Sequence, residues 1–509
     1  MIYIVDFGSQ VTHLIARRIK DLGFKSEIIL PEDVILKVKA KRPNGIILSG
    51  GPASVYQENA PGINKEIFSL NTPVLGICYG LQLMARVLGG KVISGKKEYG
   101  PAQIKIKNTK LKITKNLPNS FKVWMSHGDE VVSLPDGFNI IGSTGSVKAG
   151  FIANEKKKIY GVQFHPEVDH TEFGDEIIKN FINICTPKAS VKQEINIEKI
   201  IEKIKDTVEN KYVIGAVSGG VDSTVAAVLT AKAIGKQFIP VHVDNGLMRE
   251  KTQENVGKIF KYIGTRVIII NSKKETLKKL KGIIDPEKKR KIIGNLYIKL
   301  FEKEMKKLIK SGKEVEFLMQ GTIYSDVIES KGTKNAVTIK SHHNVGGLPK
   351  NMKLKLIEPL RYFYKDEVRK IGKELNLPTD FIYQQPFPGP GYAVRIRGEV
   401  TKNRLEMQKI ADKIVLEELG KAGVLNRVFQ SFPVLTGALS TAVKGDGRAF
   451  GEVVALRIIE SKDIMTSTWA RLPYDLLQKM SSRIVNEVPG VSRVVYDITT
   501  KPPATMEWE

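Results

Sequence analysis

The sequence predicts an α/β protein: two doubly wound parallel-sheet domains, residues 1–190 and 191–384, followed by a smaller α+β domain, residues 385–509. Three observations predict it. Short apolar runs alternate with helical patterns through the first part of the chain, as strands and covering helices do in a parallel sheet. The alternation lapses at CTPKASVKQEIN (185–196) and then starts again. It ends at YQQPFPGPGY (383–392), whose prolines and glycines break any regular element.

In the first domain IYIVDF precedes VTHLIARRIKDLG, GIILSG precedes a polar loop, and TPVLGIC precedes YGLQLMARVLGG. In the second, the helical IEKIIEKIKDTVE leads to KYVIGAV, then GKQFIPVHVDN, GTRVIIINS and EFLMQGT. After 392 come a helical KNRLEMQKIADKIVLEEL, strand-like GEVVALRII and SRVVYDITT, and the helical YDLLQKMSSRIVNEV. No period repeats.

At 509 residues, with 42% apolar and 26% charged residues, the chain can build large cores without staples. Its two cysteines, Cys78 and Cys185, are too few for a disulfide framework and suit a reducing compartment. MIYIVDFGSQ lacks the basic start of a signal peptide, and no apolar run approaches the ~20 residues of a membrane span. A cytoplasmic protein without a membrane partner is expected. The net charge of +26 draws heavily on lysines between 273 and 313, spaced to give helices a solvated face. That charge favours anionic small substrates, and no nucleic-acid partner is expected.

Gly76-Ile77-Cys78-Tyr79-Gly80 sits where a strand meets a helix. A nucleophile between small residues at such a turn forms an elbow, and the helix N-terminus favours its thiolate. Downstream, Gly161-Val162-Gln163-Phe164-His165-Pro166-Glu167 places His165 and Glu167 two residues apart, on one side of an extended segment. Base and orienting carboxylate complete a Cys-His-Glu relay. Ser49-Gly50-Gly51-Pro52 supplies an N–H that, with that of Tyr79, could hold an oxyanion. GGPASVY, GICYGLQ and GVQFHPEV, in this order, resemble the class I glutamine amidotransferases. The resemblance implies attack by Cys78 on the side-chain amide of glutamine, release of ammonia, and a glutamine pocket that includes Gly51, Tyr79 and Gln82.

The second motif is Ser218-Gly219-Gly220-Val221-Asp222-Ser223-Thr224, between a strand and an alanine-rich helix. Backbone N–H groups and a helix N-terminus face an anion there, but no Lys precedes the Ser/Thr as in the common phosphate loop. Asp222 beside phosphates makes sense with Mg²⁺ between them. The first six residues of the motif, Ser218 to Ser223, resemble the pyrophosphate loop of N-type ATP pyrophosphatases, which implies adenylation of an acceptor oxygen with release of pyrophosphate.

An ammonia source joined to an adenylating site resembles the glutamine-hydrolysing GMP synthetase family. HVDNGLMRE, IIDPEKKRKIIG, QGTIYSDVIES, IKSHHNVGGLP, EPLRYFYKDEVRK, QQPFPGPGYAVRI and TTKPPATMEWE carry the likeness over essentially the whole chain. It implies XMP, ATP and glutamine or ammonia as substrates, Mg²⁺ with the ATP, and a homodimer formed through the C-terminal domain. By the same resemblance Val243 lies against adenine and Lys365 meets the pyrophosphate. Arg249, Gln430, Arg493, Lys501 and Glu507 bind XMP, and Asp285, Glu287, Lys288 and Lys291 belong to a lid over the ATP. Ser325, where the family has Pro, and Ser467-Thr468, where it has Ala-Asp, are departures. His342-His343 lacks partners at ligand spacing and reads as hydrogen bonding near the nucleotide rather than a metal site.

Two other readings share parts of this pattern. A tRNA-modifying adenylator would use the same loop, but a fused glutaminase and the absence of a second catalytic cysteine oppose it. A regulatory protein with a spent amidotransferase half is opposed by the intact Cys78, His165 and Glu167.

Overall fold

The protein is described as a computed structural model over residues 1–9, 11–186, 195–250, 252–324, 326–327, 354–444, 447–461 and 466–509. Ser325 and His342-His343 lie outside the described residues.

The first nine strands are β1 (Ile2–Val5), β2 (Ser26–Ile29), β3 (Gly45–Leu48), β4 (Val74–Ile77), β5 (Lys91–Ile106), β6 (Ser120–Ser133), β7 (Asn139–Ser143), β8 (Phe151–Asn154) and β9 (Ile159–Val162). They form one sheet in the order β2-β1-β3-β4-β9-β8-β7-β5-β6. The half from β2 to β9 is parallel, as the alternation predicts. Side chains of β1 split by parity. Ile2 and Ile4 pack with α1 (Thr12–Asp21), while Tyr3 and Val5 join the core beneath α2 (Tyr79–Val87) on the other face. The helix α3 (Gly174–Cys185) closes the first face through Ile177, Ile178 and Phe181. From β8 to β6 the pairing is antiparallel, which the run pattern did not reveal. Those runs are joined by turns and loops rather than covering helices, so β6, β8 and β9 each return beside the preceding strand, while β7 pairs with β5.

The second sheet consists of β10 (Tyr212–Ala216), β11 (Phe238–Asp244), β12 (Ile268–Asn271), β13 (Val315–Met319) and β14 (Lys355–Ile357). All are parallel, in the order β12-β11-β10-β13-β14. The order reverses between β10 and β13, and such a crevice at the strand C-termini is where doubly wound sheets bind ligands. The loop after β10 opens into it and leads to α4 (Val221–Ile234), whose residues from Thr224 to Ala231 are buried on all sides. Two more helices of this region bear on function, α5 (Pro286–Lys310) and α6 (Lys365–Glu374).

The C-terminal part is α+β, as expected. The hairpin of β15 (Gln430–Lys444) and β16 (Gly447–Glu460) is extended by the antiparallel β17 (Thr468–Trp469) and the parallel β18 (Val491–Tyr496). Helices α7 (Lys402–Lys421) and α8 (Tyr474–Glu487) cover one face, with Ile414, Leu419, Met480 and Ile484 against Val454, Leu456 and Ile458.

Candidate active site

Cys78 follows β4 directly and caps α2 with φ 49° and ψ −106°, a strained backbone for a residue with a Cβ. Its flanking glycines have a steric reason. A Cβ on Gly80 would lie 2.4 Å from the Leu48 carbonyl oxygen, and one on Gly76 would lie 2.8 Å from Gly80 itself. The turn can therefore press against β3 and hold the thiol at the sheet edge. The Sγ lies 3.5 Å from the Ser126 carbonyl oxygen, and the Gln163 amide nitrogen lies 3.7 Å from it.

His165 and Glu167 follow β9. The Nδ1 of His165 is 2.8 Å from Glu167 Oε1, and the Cys78 sulfur is close enough to its ring to raise its pKa. Burial would lower the imidazole pKa, but the Glu167 carboxylate and the Cys78 sulfur outweigh it and raise it well above 6.5. The His165 backbone is clamped at both ends. Its N–H donates to Trp124 O at 3.0 Å, and its carbonyl accepts from Thr171 Oγ1 at 2.6 Å. Arg18 on α1 holds the next residues, donating from Nε to Glu167 O at 3.1 Å and pairing with Asp169 and Asp175.

Gly51 packs where a Cβ would come within 2.9 Å of Phe7 O and 3.3 Å of the Tyr79 ring. Tyr79 is buried, its hydroxyl donates to Pro61 O at 2.6 Å, and burial pushes its pKa up to about 12. Gln82 gives its amide nitrogen to Asp129 O at 2.7 Å, fastening α2 to β6.

After β10, Gly219 takes φ 89°, and the hydroxyls of Ser218 and Ser223 meet at 3.0 Å across the turn. Gly321, beyond β13, lets the loop approach: a Cβ there would fall 2.5 Å from Ser223 Cα. Thr224 is buried beneath it with an unpartnered hydroxyl. Lys365, the first residue of α6, reaches Asp222 Oδ2 at 2.6 Å, while Asp222 Oδ1 is buried without a hydrogen-bond partner. Val243 is buried on the neighbouring β11.

A third cluster surrounds the Pro-Gly turn. Arg249 grips Asp412 with two bonds, at 2.7 and 3.0 Å, and Tyr392 donates to the same carboxylate at 3.0 Å. The buried Arg395 grips Glu507 with two bonds of 3.1 Å, and Gln430 adds a third at 2.8 Å. Asp285 caps α5 by accepting from the Lys288 N–H at 2.7 Å, and Glu287 pairs with Arg290 at 2.6 Å.

Family models match in the same order as these clusters: "Glutamine amidotransferase class-I" over residues 3–185, "NAD synthase" over 194–324 and "GMP synthase C terminal domain" over 417–508. The chain is 51% identical over 510 residues to the GMP synthase [glutamine-hydrolyzing] of Aquifex aeolicus, covering 100% of this chain and 99% of that one. It is 50% identical over 512 residues to the GMP synthase of Clostridium tetani, with the same coverage. The chain belongs to the glutamine-hydrolysing GMP synthase family.

In this GMP synthase family member the structure brings Cys78, His165 and Glu167 together, and Lys365 to the loop that begins at Ser218. Arg249, Gln430 and Glu507 share one network through Arg395 and Asp412. Arg493 is not among them. It lies on β18 and donates to Ser440 Oγ at 2.8 Å on the exposed hairpin side. Lys501 pairs its backbone with Ser467 in both directions, at 3.0 and 2.9 Å. Lys288 and Lys291 are exposed, and the buried cation of α5 is Lys289, which no motif singled out. Its Nζ donates to Ala393 O, Ile396 O and Glu509 Oε2 at 3.1, 2.6 and 2.9 Å. Burial lowers its pKa, partly offset by Glu509. Arg395, Tyr392 and Asp412 carried no local signal in the sequence. Cys185 is packed under Gly45, and burial pushes its thiol far above the ordinary range. Among the described residues no helix is long and apolar enough to cross a membrane, and no group of three or more His, Cys, Asp or Glu could hold a metal.

Proposed function

We propose that the chain makes GMP from XMP in three units, residues 1–190, 191–384 and 385–509. Glutamine is hydrolysed in the first; XMP is adenylated and aminated by the other two. The observation that carries the reading is the His165 ring, hydrogen-bonded to Glu167 and with its pKa raised by the nearby Cys78 sulfur, in a chain whose Asp222 loop is paired with Lys365.

The thiolate of Cys78 attacks the side-chain carbonyl of glutamine, and the N–H groups of Gly51 and Tyr79 receive the oxyanion. His165 passes its proton to the leaving nitrogen, so ammonia departs and a glutamyl thioester remains. His165 then takes a proton from water, which cleaves the thioester to glutamate. Glu167 holds the tautomer and the imidazolium charge throughout. Gln82 supports the pocket wall.

In the second unit Ser218, Gly219, Gly220, Val221, Ser223 and Thr224 cradle the β,γ-phosphates, Lys365 neutralises them, and Val243 lies along the adenine. The chain fits a Mg²⁺ bound with ATP: Asp222 has one buried carboxylate oxygen without a partner, and phosphates and water would supply the remaining ligands. That ion would offset phosphate charge. Xanthine O2 attacks the α-phosphate, the bond to pyrophosphate breaks, and ammonia then displaces AMP from C2 to give GMP. Arg249, Gln430, Lys501 and Glu507 hold XMP, and Arg493 contributes from β18. Asp285, Glu287, Lys288 and Lys291 form the lid over ATP.

Free ammonia is protonated near neutral pH, so hydrolysis is coupled to adenylation and the nitrogen is passed on shielded from water. Contacts between the halves support this. Arg17 and Lys20 on α1 meet Asp366 and Glu367 on α6 at 2.7 and 2.9 Å, next to Lys365, and Tyr364 donates to His13 O at 3.2 Å. The exposed Leu439, Val443 and Phe450 along the β15–β16 hairpin support a homodimer through the C-terminal unit. The substrates are small molecules, not nucleic acid, and the site of action is the cytoplasm.

The test follows XMP consumption with MgATP and either glutamine or ammonium chloride, in the wild type and Cys78→Ala. Glutamine-driven synthesis is expected to vanish in the variant while ammonium-driven synthesis survives. A wild type that makes no GMP with either nitrogen source would refute the proposal.

A further inference from the structure

The segment carrying Ser467-Thr468 lies on the amidotransferase side of the C-terminal unit. Thr466 is buried, and its Oγ1 lies 2.7 Å from Nδ1 of His170, five residues beyond the triad histidine. Behind Thr466, Ser467 is zipped to Lys501 by two backbone hydrogen bonds, and Ser461 Oγ donates to Thr466 O at 2.6 Å. The threonine thus sits on the strip that carries a proposed XMP ligand.

On the other side, the His170 ring packs against Trp124, centroids 4.8 Å apart and tilted 41°. Trp124 is fully buried and accepts the His165 N–H. Its backbone N–H donates to Thr171 Oγ1 at 3.0 Å, and that hydroxyl donates to His165 O. Both backbone polar groups of His165 therefore rest on the two residues nearest to His170. His170 is half-buried, and a shift of its ring toward the domain presses on a buried indole and on the residue beside a hydroxyl already engaged twice.

We infer that the Thr466–His170 hydrogen bond is a joint through which the nucleotide-binding loop sets the position of His165 and so the rate of glutamine hydrolysis. His170 and Thr466 are positioning residues. Neither touches glutamine or XMP in this scheme. The inference rests on the proposed GMP-forming reaction and names the route by which its coupling reaches the triad. A joint of this kind needs two arrangements that the nucleotide biases, and coupling free energies between linked sites commonly change rates or affinities by about fivefold or more.

The full-length chain is assayed for glutamate release with and without XMP and MgATP, and separately for GMP formation from ammonium chloride. Thr466→Val removes the hydroxyl at constant shape, His170→Phe keeps the ring on Trp124 without a nitrogen, and Thr466→Ser keeps the hydrogen bond. The factor by which XMP and MgATP raise kcat/KM for glutamine is expected to fall at least about fivefold in Thr466→Val and His170→Phe, and to return in Thr466→Ser. The double variant is expected to be no worse than either single one, because both remove one bond. Ammonium-driven synthesis and its KM for XMP are expected to stay within about twofold of the wild type, which also shows that the variants fold. Retained stimulation in both single variants, or multiplied effects in the double variant, would overturn the joint. So would a rise in KM for XMP with ammonium as large as the lost stimulation, which would assign Thr466 to XMP binding alone. A wild type without stimulation, yet making GMP from ammonium, would overturn the joint and leave the reaction standing. A wild type making no GMP from ammonium would overturn both.

Discussion

Replacing Glu167 by Gln tests the triad at the point where charge and shape separate. The carboxylate is fully buried, 2.8 Å from His165 Nδ1, and its second oxygen has no hydrogen-bond partner. Burial alone would depress the imidazole pKa, and the Glu167 charge is the largest of the effects that raise it. The amide keeps the acceptor but loses the charge. A hydrogen bond to a charged group contributes about 1.5–3 kcal/mol, and at about 1.4 kcal/mol per decade that is roughly a 10- to 150-fold fall in glutaminase kcat. The amide NH₂ takes the place of an oxygen without a partner, which costs about 1–3 kcal/mol in stability rather than in rate. The sign with pH is fixed. A histidine whose folded pKa stands above 6.5 adds stability that is full below 6.5 and is lost as pH rises through the raised value. The stability gap between wild type and Glu167→Gln is therefore largest below 6.5 and narrows on the alkaline side. The assay is glutamate release with XMP and MgATP, beside ammonium-driven GMP synthesis as a control that stays unchanged. A loss smaller than about threefold would show that the carboxylate does not support the imidazolium, and the reasoning would fail.

Lys365→Met removes the partner of Asp222 and the cation nearest the phosphate loop; GMP formation from glutamine and from ammonium is expected to fall together by about 10²-fold or more, while glutamate release without nucleotide persists. Loss of only the glutamine-driven reaction would refute that role. Lys289→Met strands Glu509 and two buried carbonyl oxygens, so urea unfolding is expected to show a loss of about 3–5 kcal/mol, far above the ~1 kcal/mol of an exposed lysine. His242 is buried under the phosphate loop, its Nδ1 2.8 Å from Val217 O, and burial lowers its pKa below 6.5 against the smaller opposing pull of Val217 and Asp244. Its neutral form therefore stabilises the fold above 6.5, and that stability drains away as pH falls from 6.5 through the lowered value; His242→Gln is expected to flatten this slope in urea midpoints. An unchanged slope would place the titration elsewhere.

What could be read from the sequence was what local backbone rules write down. Cys78 lies between glycines because any Cβ on Gly80 would strike Leu48, and the Ser218 loop needs Gly219 at positive φ; both are signatures within a few residues. His165 and Glu167 face one way because they are two apart on an extended segment. The network around Arg395 had no such signature. Arg395 and Glu507 are 112 positions apart, Arg249 and Asp412 163, and Lys289 and Glu509 220, so only the tertiary fold pairs them. In α5 the family resemblance drew attention to Lys288 and Lys291, whereas burial selects Lys289 between them. The antiparallel strands β5 to β8 were equally hidden, since an apolar run looks the same whether a helix or a turn brings the chain back.

The triad bears on how coupling can work. His165 and Glu167 are bonded at 2.8 Å within one short segment, two residues apart. Two contacts from the other units end on the same short strip: α6 reaches α1, whose Arg18 holds Glu167 O, and Thr466 reaches His170. Both act on the backbone that carries the base, not on the bond between base and carboxylate. What is adjustable is the line from His165 to Cys78, whose sulfur has long contacts to Ser126 and Gln163 at 3.5 and 3.7 Å. The two ideas part in one measurement. If nucleotide tunes the Cys78–His165 approach, Glu167→Gln lowers basal and stimulated glutaminase by the same factor and their ratio is unchanged. If nucleotide instead strengthened the His165–Glu167 bond, the variant would lose the stimulation along with the rate.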